Sequence, residues 1–306
     1  MSERNVSDPV RITIISHGDL DGIVSAALWV ARLLKTGIKR EEIQVIFAQP
    51  FQLPSPDRIK GEEVIVVDIA VNNRNPNQTK EFIKSINEKL RSWIDHHKGW
   101  QEVQVDDRFI IDEEAKAAAE IVYQQAMDQL AEYEMFVRDA VAADTREGYL
   151  SPKGQLIEEA VKSNLKDDSI RLAAVWWLVD GALKEGPEYE KLLKAQQRYR
   201  KIQEVTNRLI NRYQIQEGIA VVDAREVAED YDRTQLLIAG QKMAPTEISV
   251  VLGRNPEGEE IITVATSRKD LNLVNLFGLP SGAPFRVSLP SSLWPLERVL
   301  EKLKNL

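Results

Sequence analysis

The 306-residue chain contains no cysteine. That excludes disulfides and thiolate metal sites, and it suits a reducing cytoplasm. Histidine is almost as scarce, with three in the whole chain, at positions 17, 96 and 97. No apolar run is long enough to span a bilayer, and Met1-Ser2-Glu3-Arg4-Asn5 lacks a signal-peptide pattern. A cytoplasmic protein without membrane association is therefore expected. A cationic surplus is missing too. The net charge of −8 argues against a surface that coats nucleic acid, but not against a local basic groove or phosphate bound through metals. There is no internal repeat and no low-complexity tract. What is present is 43% hydrophobic and 29% charged residues, enough for a sizeable core and, at this length, for two domains.

One stretch organises the rest: Ser16-His17-Gly18-Asp19-Leu20-Asp21-Gly22. It follows the apolar run Ile12 to Ile15, which reads as a buried strand. It precedes Ile23 to Lys35, where Val24, Ala27, Leu28, Ala31 and Leu34 recur at helical spacing. Gly18 and Gly22 are expected to supply backbone conformations that bulkier residues resist. The carboxyl end of a strand is where open α/β sheets place their sites. The same pattern also fits a polar turn in which an Asp caps the helix.

Strands and helices then alternate. Ile43 to Ala48 reads as a strand, Val64 to Ala70 as a strand buried on both faces, Gln78 to Lys89 as a helix, and Leu90 to Ile94 as a short strand. This predicts a parallel sheet with flanking helices. Helical patterns follow over Ala115 to Leu130, Tyr133 to Ala143 and Ser169 to Leu183. Glu188 to Tyr213 reads as one long helix, taken as a connector at 187–214 between a first domain at 1–186 and a smaller domain at 215–306. In the latter, Ile219 to Val222, Ile248 to Leu252, Glu260 to Thr266 and Phe285 to Leu289 read as strands, with helices at Thr234 to Ala239 and Leu293 to Leu303. A small α/β domain with a mixed sheet is expected there.

Two more strand ends deliver ligand-type residues. Asp68 sits among Val67, Ile69 and Ala70, where a carboxylate is costly unless it meets a cation or strong donors. Asp95-His96-His97 ends the next strand, and in a turn both imidazoles can approach one centre. Asp144 follows an apolar helix. These make a set of nitrogen and oxygen ligands without sulfur, which suits manganese, magnesium, iron, cobalt or zinc. Asp19 and Asp21, two apart, are placed to serve two ions. A dinuclear centre for phosphoryl chemistry follows, with one carboxylate bridging metals about 3.5–4 Å apart.

His17-Gly18-Asp19-Leu20-Asp21-Gly22, Val67-Asp68, Asp95-His96-His97 and Ala143-Asp144-Thr145 resemble, in order and spacing, the four motifs of the DHH phosphoesterases. They span about half the chain. That superfamily includes RecJ-like exonucleases, oligoribonucleases, dinucleotide phosphodiesterases and family II pyrophosphatases. The resemblance implies two divalent ions, most readily manganese, with magnesium or cobalt as alternatives. It implies that His17, Asp19 and Asp68 hold one ion and that Asp21, Asp68, His96 and Asp144 hold the other. His97 would face the scissile phosphate, and Asp95 would fix an imidazole. Glu113 to Gln124 resembles the helix that follows the third motif.

The C-terminal part resembles the small substrate domain of the phosphodiesterase branch. Ser267-Arg268-Lys269 and Asp270-Leu271-Asn272 match, whereas the Gly-rich loop, Gly278 to Phe285, lacks the family's His. The resemblance thus leaves Arg268 as the phosphate anchor, with Lys269, Arg286 and Gly282 assisting, and Phe277 or Phe285 as a stacking surface. The implied partner is a short single-stranded RNA or DNA, or a dinucleotide, and a homodimer is compatible with the sequence. The alternatives are a pyrophosphatase or polyphosphatase, an inactive replication scaffold, and an unrelated fold carrying the motifs by chance. Asp21-Gly22 favours the phosphodiesterase form, and every expected ligand is present.

Overall fold

Alternation builds the first sheet. In strand β1 (Ile12–His17), Ile14 and Ile15 are both fully buried but belong to cores on opposite faces of the sheet. Helix α1 (Leu20–Lys35) follows, then β2 (Ile43–Ala48), β3 (Glu63–Val67), α2 (Pro76–Ile86), β4 (Leu90–Asp95) and β5 (Phe109–Ile111). All five strands pair in parallel in the order β2-β1-β3-β4-β5. The chain moves outward from β1 to β2 and returns on the other side to β3, so the junction of β1 and β3 is a topological switch point. The structure is a computed structural model, which describes residues 10–73, 75–103, 105–164, 167–255, 258–279 and 283–304.

Five helices complete the first unit: α3 (Ala118–Gln124), α4 (Met127–Leu130), α5 (Glu134–Thr145), α6 (Pro152–Ser163) and α7 (Asp168–Val179). Helix α1 is buried on nearly every side from Leu20 to Ala31, because α3, α5 and α7 pack around it. On the other sheet face, α2 covers an aromatic cluster in which Trp93 meets Phe82, Trp100 and Phe109. Trp93 is fully buried, which is worth about 1.5–3 kcal/mol, while Phe109 is half-buried at the rim of the cluster. The core is therefore strongest directly beneath the carboxyl ends of β1, β3 and β4.

Several boundaries depart from the sequence pattern. The single helix expected over Ala115 to Leu130 is two helices, and the first starts at Ala118 and not near Glu113. The short edge strand β5 and the helix α6 carry too little apolar periodicity to stand out. The start of α6 nevertheless has a clear signal, Ser151 capping Gly154 N with Pro152 in the first turn.

The chain divides into two compact units, Met1–Arg198 and Tyr199–Leu306. Helix α8 (Pro187–Ile210) runs through that division. The second unit contains β6 (Gln214–Gln216), β7 (Ile219–Asp223), α9 (Arg233–Met243), β8 (Ile248–Arg254), β9 (Glu260–Thr266), α10 (Leu273–Phe277), β10 (Arg286–Pro290) and α11 (Leu296–Lys304). Its sheet runs β10-β9-β8-β7-β6, parallel only between β7 and β8. One face packs on α10 and α11 through Leu273, Phe277, Val299 and Leu303. The other packs Val251 against Leu236 and Leu237 of α9. Among the described residues, no helix is long and apolar enough to cross a membrane.

Gly18 and Gly22 are not in the left-handed region, contrary to the expectation that they serve through backbone freedom. Close approach requires them. A Cβ on Gly22 would stand 2.7 Å from the His17 carbonyl carbon and closer still to its oxygen. A helical Gly→Ala change normally stabilises by about 0.5–1 kcal/mol. Here overpacking against rigid backbone reverses the sign, so Gly22→Ala is expected to destabilise by about 1–3 kcal/mol. Urea unfolding measures this, and a stabilised variant would show that the turn is looser than described.

Candidate metal centre

The strand ends and the turn after β1 bring eight side chains together. His17 ends β1, Asp68 follows β3, and Asp95 ends β4 with His96 and His97 next in the chain. Asp19 and Asp21 come from the turn and the start of α1, and Asp144 from the last turn of α5. Asp68 carries the backbone strain of the site. Its φ of 55° is in the left-handed region, unusual for a residue with a Cβ although Asp tolerates it best. Its N–H donates to Ile94 O at 2.9 Å, which ties the strained residue to the neighbouring strand.

Asp68 lies between two groups of donors. Its Oδ2 is 3.8 Å from His17 Nδ1, which is itself 2.7 Å from Asp19 Oδ2. Its Oδ1 is 3.7 Å from His96 Nε2. His96 Nε2 is also 3.7 Å from Asp21 Oδ2 and 3.6 Å from Asp144 Oδ2. Among the described residues, Asp68 Oδ2 and His96 Nε2 are buried without a hydrogen-bond partner. Leaving such atoms unpaired costs about 1–3 kcal/mol each, more where charge is involved. A divalent cation contacting both removes that cost. Nitrogen and carboxylate donors converging on orphaned atoms therefore fit metal binding, and the ligand atoms of His17, Asp19 and Asp68 lie within 4.8 Å of one another.

The surrounding bonds fix the ring and carboxylate orientations. His17 Nε2 donates to Gln49 Oε1 at 3.0 Å, which turns Nδ1 toward Asp19 and Asp68. His97 Nδ1 donates to Asp95 Oδ1 at 2.8 Å, and Trp100 Nε1 donates to Asp95 Oδ2 at 2.8 Å. The aromatic core thus holds Asp95, and Asp95 holds His97. Asp19 Oδ1 accepts from Gly22 N at 3.1 Å and caps α1 while Oδ2 faces His17. Asp21 accepts from Ala118 N at 2.7 Å and Ala119 N at 2.8 Å. That contact explains the late start of α3, which has no side-chain cap of its own. Asp21, from α1, takes that place. Arg171 Nε donates to Gly18 O at 2.7 Å and secures the turn.

Gln49, Trp100 and Arg171 went unnoticed in the sequence. Gln49 has only its strand-end position as a signal, and Trp100 has none. Arg171, a lone cation in the apolar helix α7, was the one with a readable signal. Of the other expected residues, Arg268, Lys269 and Arg286 belong to the second unit. The Arg268 guanidinium is held by Asp270 at 2.7 Å, and Arg286 Nη1 donates to Thr234 Oγ1 at 3.2 Å. Gly282, and with it part of the loop from Gly278 to Phe285, lies outside the described residues.

Charge shapes the titration of the centre. Burial, reinforced by Asp19 and Asp144, pushes the Asp21 carboxyl up to about 7. Burial and then Asp21 and Asp19 hold Asp68 well above the usual carboxylate range. The hydrogen bond to Asp95 raises His97 despite its partial burial. For His17, burial works downward but is outweighed by the Asp19 hydrogen bond and charge, leaving it raised.

Residues 11–144 match the DHH family, N-terminal domain. The solved structures of similar fold include a pGpG-specific phosphodiesterase, PggH, from Vibrio cholerae, at 14% identity and a TM-score of 0.61, covering 96% of this chain and 98% of that one. They also include an exonuclease RecJ bound to manganese, at 11% identity and a TM-score of 0.61, covering 96% and 89%. RecJ from Thermus thermophilus with Mn2+ aligns at 12% identity and a TM-score of 0.53, covering 96% of this chain and 51% of that chain. Comparison with curated protein sequences finds no match. Residues 11–144 thus carry the likeness to the DHH family, N-terminal domain, and the solved structures share the fold over nearly the whole chain.

The raised carboxyls give a sign to the pH dependence. Between the ordinary Asp value of 3.8 and about 7, the metal-free fold binds more protons than the unfolded chain. Its stability therefore falls as pH rises through that interval, and the raised His17 and His97 act in the same direction. Bound metal replaces those protons. Thermal melts are expected to show the chelated protein melting lower at pH 8 than at pH 5, with manganese raising the midpoint more at pH 8. A manganese effect that is equal at both pH values would contradict proton–metal competition at this centre.

Proposed function

We propose that the protein is a two-metal phosphodiesterase acting on short single-stranded oligonucleotides or dinucleotides. The observation that carries this reading is Asp68, whose two oxygens face the His17–Asp19 pair on one side and His96 with Asp21 and Asp144 on the other. In this reading His17, Asp19 and Asp68 hold one ion, and Asp21, Asp68, His96 and Asp144 hold the second. When bound, divalent ions there neutralise phosphate charge and lower the pKa of water to yield a nucleophile.

The chain's own residues do the remaining work. Asp95 occupies His97 Nδ1, so the other ring nitrogen is left for the substrate. The His97 side chain is 42% exposed, against 9% for His96. The hydrogen bond to Asp95 raises the His97 pKa and so favours the protonated ring, and in this reading His97 delivers that proton to the leaving oxygen as the phosphorus–oxygen bond breaks. Arg268, Lys269 and Arg286 of the second unit are proposed as phosphate contacts. Arg268 would exchange Asp270 for a phosphate, to which its planar fork binds two oxygens. The lengthwise alignment with PggH and RecJ, whose names state a pGpG phosphodiesterase and an exonuclease, supports a nucleotide phosphodiester as substrate.

Hydrolysis of a short oligoribonucleotide, a cyclic dinucleotide and pyrophosphate in manganese tests the substrate class. Turnover of the oligoribonucleotide at least about tenfold above pyrophosphate is expected. Preference for pyrophosphate would favour the phosphoanhydride hydrolase reading.

The roles of the adjacent imidazoles separate under mutation. His97→Ala is expected to keep its metal and lose about 10²–10⁴-fold in kcat, whereas His96→Ala loses metal. In the wild type, kcat falls as pH rises past the raised His97 value, because the acid form is consumed. Elemental analysis and kinetics on the two purified variants decide it, and the reverse pattern would exchange their roles.

A further inference from the structure

Asp144 is the least supported of the carboxylates at the centre. Asp19, Asp21 and Asp95 each accept an N–H that fixes at least one oxygen. Asp68 is tied through its own N–H to Ile94 O. The Asp144 carboxylate makes no hydrogen bond among the described residues, and its side chain is 34% exposed. It comes from the last turn of α5, and helix ends fray because their final carbonyls lack partners. Without metal, repulsion from the other carboxylates drives it outward.

What closes this end of the helix is a further acid. Asp139, also on α5, is 3% exposed, and no cation pairs with it among the described residues. Its Oδ1 accepts Ser151 N–H at 2.6 Å, and its Oδ2 accepts Ser151 Oγ–H at 2.5 Å. Ser151 Oγ in turn accepts Gly154 N–H at 3.1 Å. The approach requires glycine at 154, where a Cβ would stand 2.5 Å from Asp139 Cγ. The first turn of α6 is thereby seated on the carboxylate, with the positive end of the helix toward it. Burying a carboxylate is costly, and apolar side chains alone suffice to pack one helix on another. The bonds instead close the chain from 139 to 151 into a loop that contains Asp144. Inside it, Thr145 Oγ1 donates to Val141 O at 2.7 Å, and Arg146 and Gly148 turn the chain with left-handed φ values of 58° and 88°.

We propose that the Asp139–Ser151 clamp positions Asp144 and thereby sets the affinity for the ion assigned to Asp21, Asp68, His96 and Asp144. The assignment rests on the two-metal reading above and deepens it at one ion. Holding a ligand in its bound geometry removes part of the ordering cost that binding otherwise meets. The other ion, on His17, Asp19 and Asp68, uses no residue of α5, so the effect falls on one site. Asp139 spends both oxygens on Ser151 and contributes none to the centre, which makes it a positioning residue and not a catalytic one.

Manganese titration calorimetry on the chelated protein tests this, with Asp144→Ala and His17→Ala marking which ion is which. Asp139→Ala is expected to weaken the ion that Asp144→Ala loses by about 10–100-fold, and the other ion by less than about threefold. Ser151→Ala, which keeps the buried acid and serves if Asp139→Ala does not fold, is expected to shift the same ion in the same direction, and Ser151→Thr to recover it. Adding Asp139→Ala to Asp144→Ala is expected to change neither affinity further, because the clamp acts only through Asp144. Equal weakening of both ions, or a lower unfolding midpoint with both affinities intact, overturns the clamp. So does further weakening in the double variant. Selective weakening of one ion, in a protein that hydrolyses no nucleotide in manganese, keeps the clamp and overturns the phosphodiesterase reading. Uptake of a single ion by the wild type overturns both.

Discussion

Five carboxylates, Asp19, Asp21, Asp68, Asp95 and Asp144, converge on a centre that no lysine or arginine among the described residues neutralises. Everything else in the first unit can be understood as support for that unfavourable arrangement. Asp68 bears the largest share, buried, with no donor on Oδ2, in a left-handed backbone conformation. Such a residue persists only where its surroundings over-determine it. The two-sided burial of β3, with Val64 and Val66 on one core and Ile65 and Val67 on the other, supplies that determination. The backbone bond from Asp68 to Ile94 finishes it.

The other carboxylates divide their oxygens between fold and site. Asp19 caps α1 with one oxygen and presents the second to His17. Asp95 takes the Trp100 indole on one oxygen and His97 on the other. Asp21 accepts the first N–H groups of α3 and still faces His96. Capping and ligand roles, which compete as readings of a sequence, are not exclusive in three dimensions. One consequence is that the first motif and the helix after the third motif are joined through Asp21 across 97 residues of chain. The site cannot be rearranged without disturbing the ends of α1 and α3.

This sharing also explains what was legible in the sequence. The first three motifs and the parallel sheet follow from apolar strands that end in His or Asp, whereas the fourth motif lies in the last turn of α5 and the mixed second sheet follows from apolar runs alone. Helix α3 was misplaced because its start is set by Asp21, far away in the chain, and Ala117 gives no local cap signal. Strand β5 was missed because three residues at a sheet edge carry little periodicity. Gln49 could not be recognised because its role exists only through contact with His17. The glycines were read as conformational when they are steric, and the positive φ fell on Asp68, inside what looked like uninterrupted strand.

In the proposed reading the centre itself recognises little beyond phosphorus-bound oxygen. Its ligand atoms serve a phosphodiester and a phosphoanhydride alike, since both need charge neutralisation, a nucleophile and a proton for the leaving oxygen. Even His97, oriented by Asp95, is indifferent to what lies beyond the oxygen that receives the proton. Selection must therefore reside in groups that touch the substrate away from the reacting atoms. Of the arginines proposed as phosphate contacts in the second unit, Arg268 is tied to Asp270 and Arg286 is half-buried beside Thr234. In that reading a guanidinium already paired to a carboxylate gives up its bond before it binds phosphate, so Arg268 leaves Asp270 first.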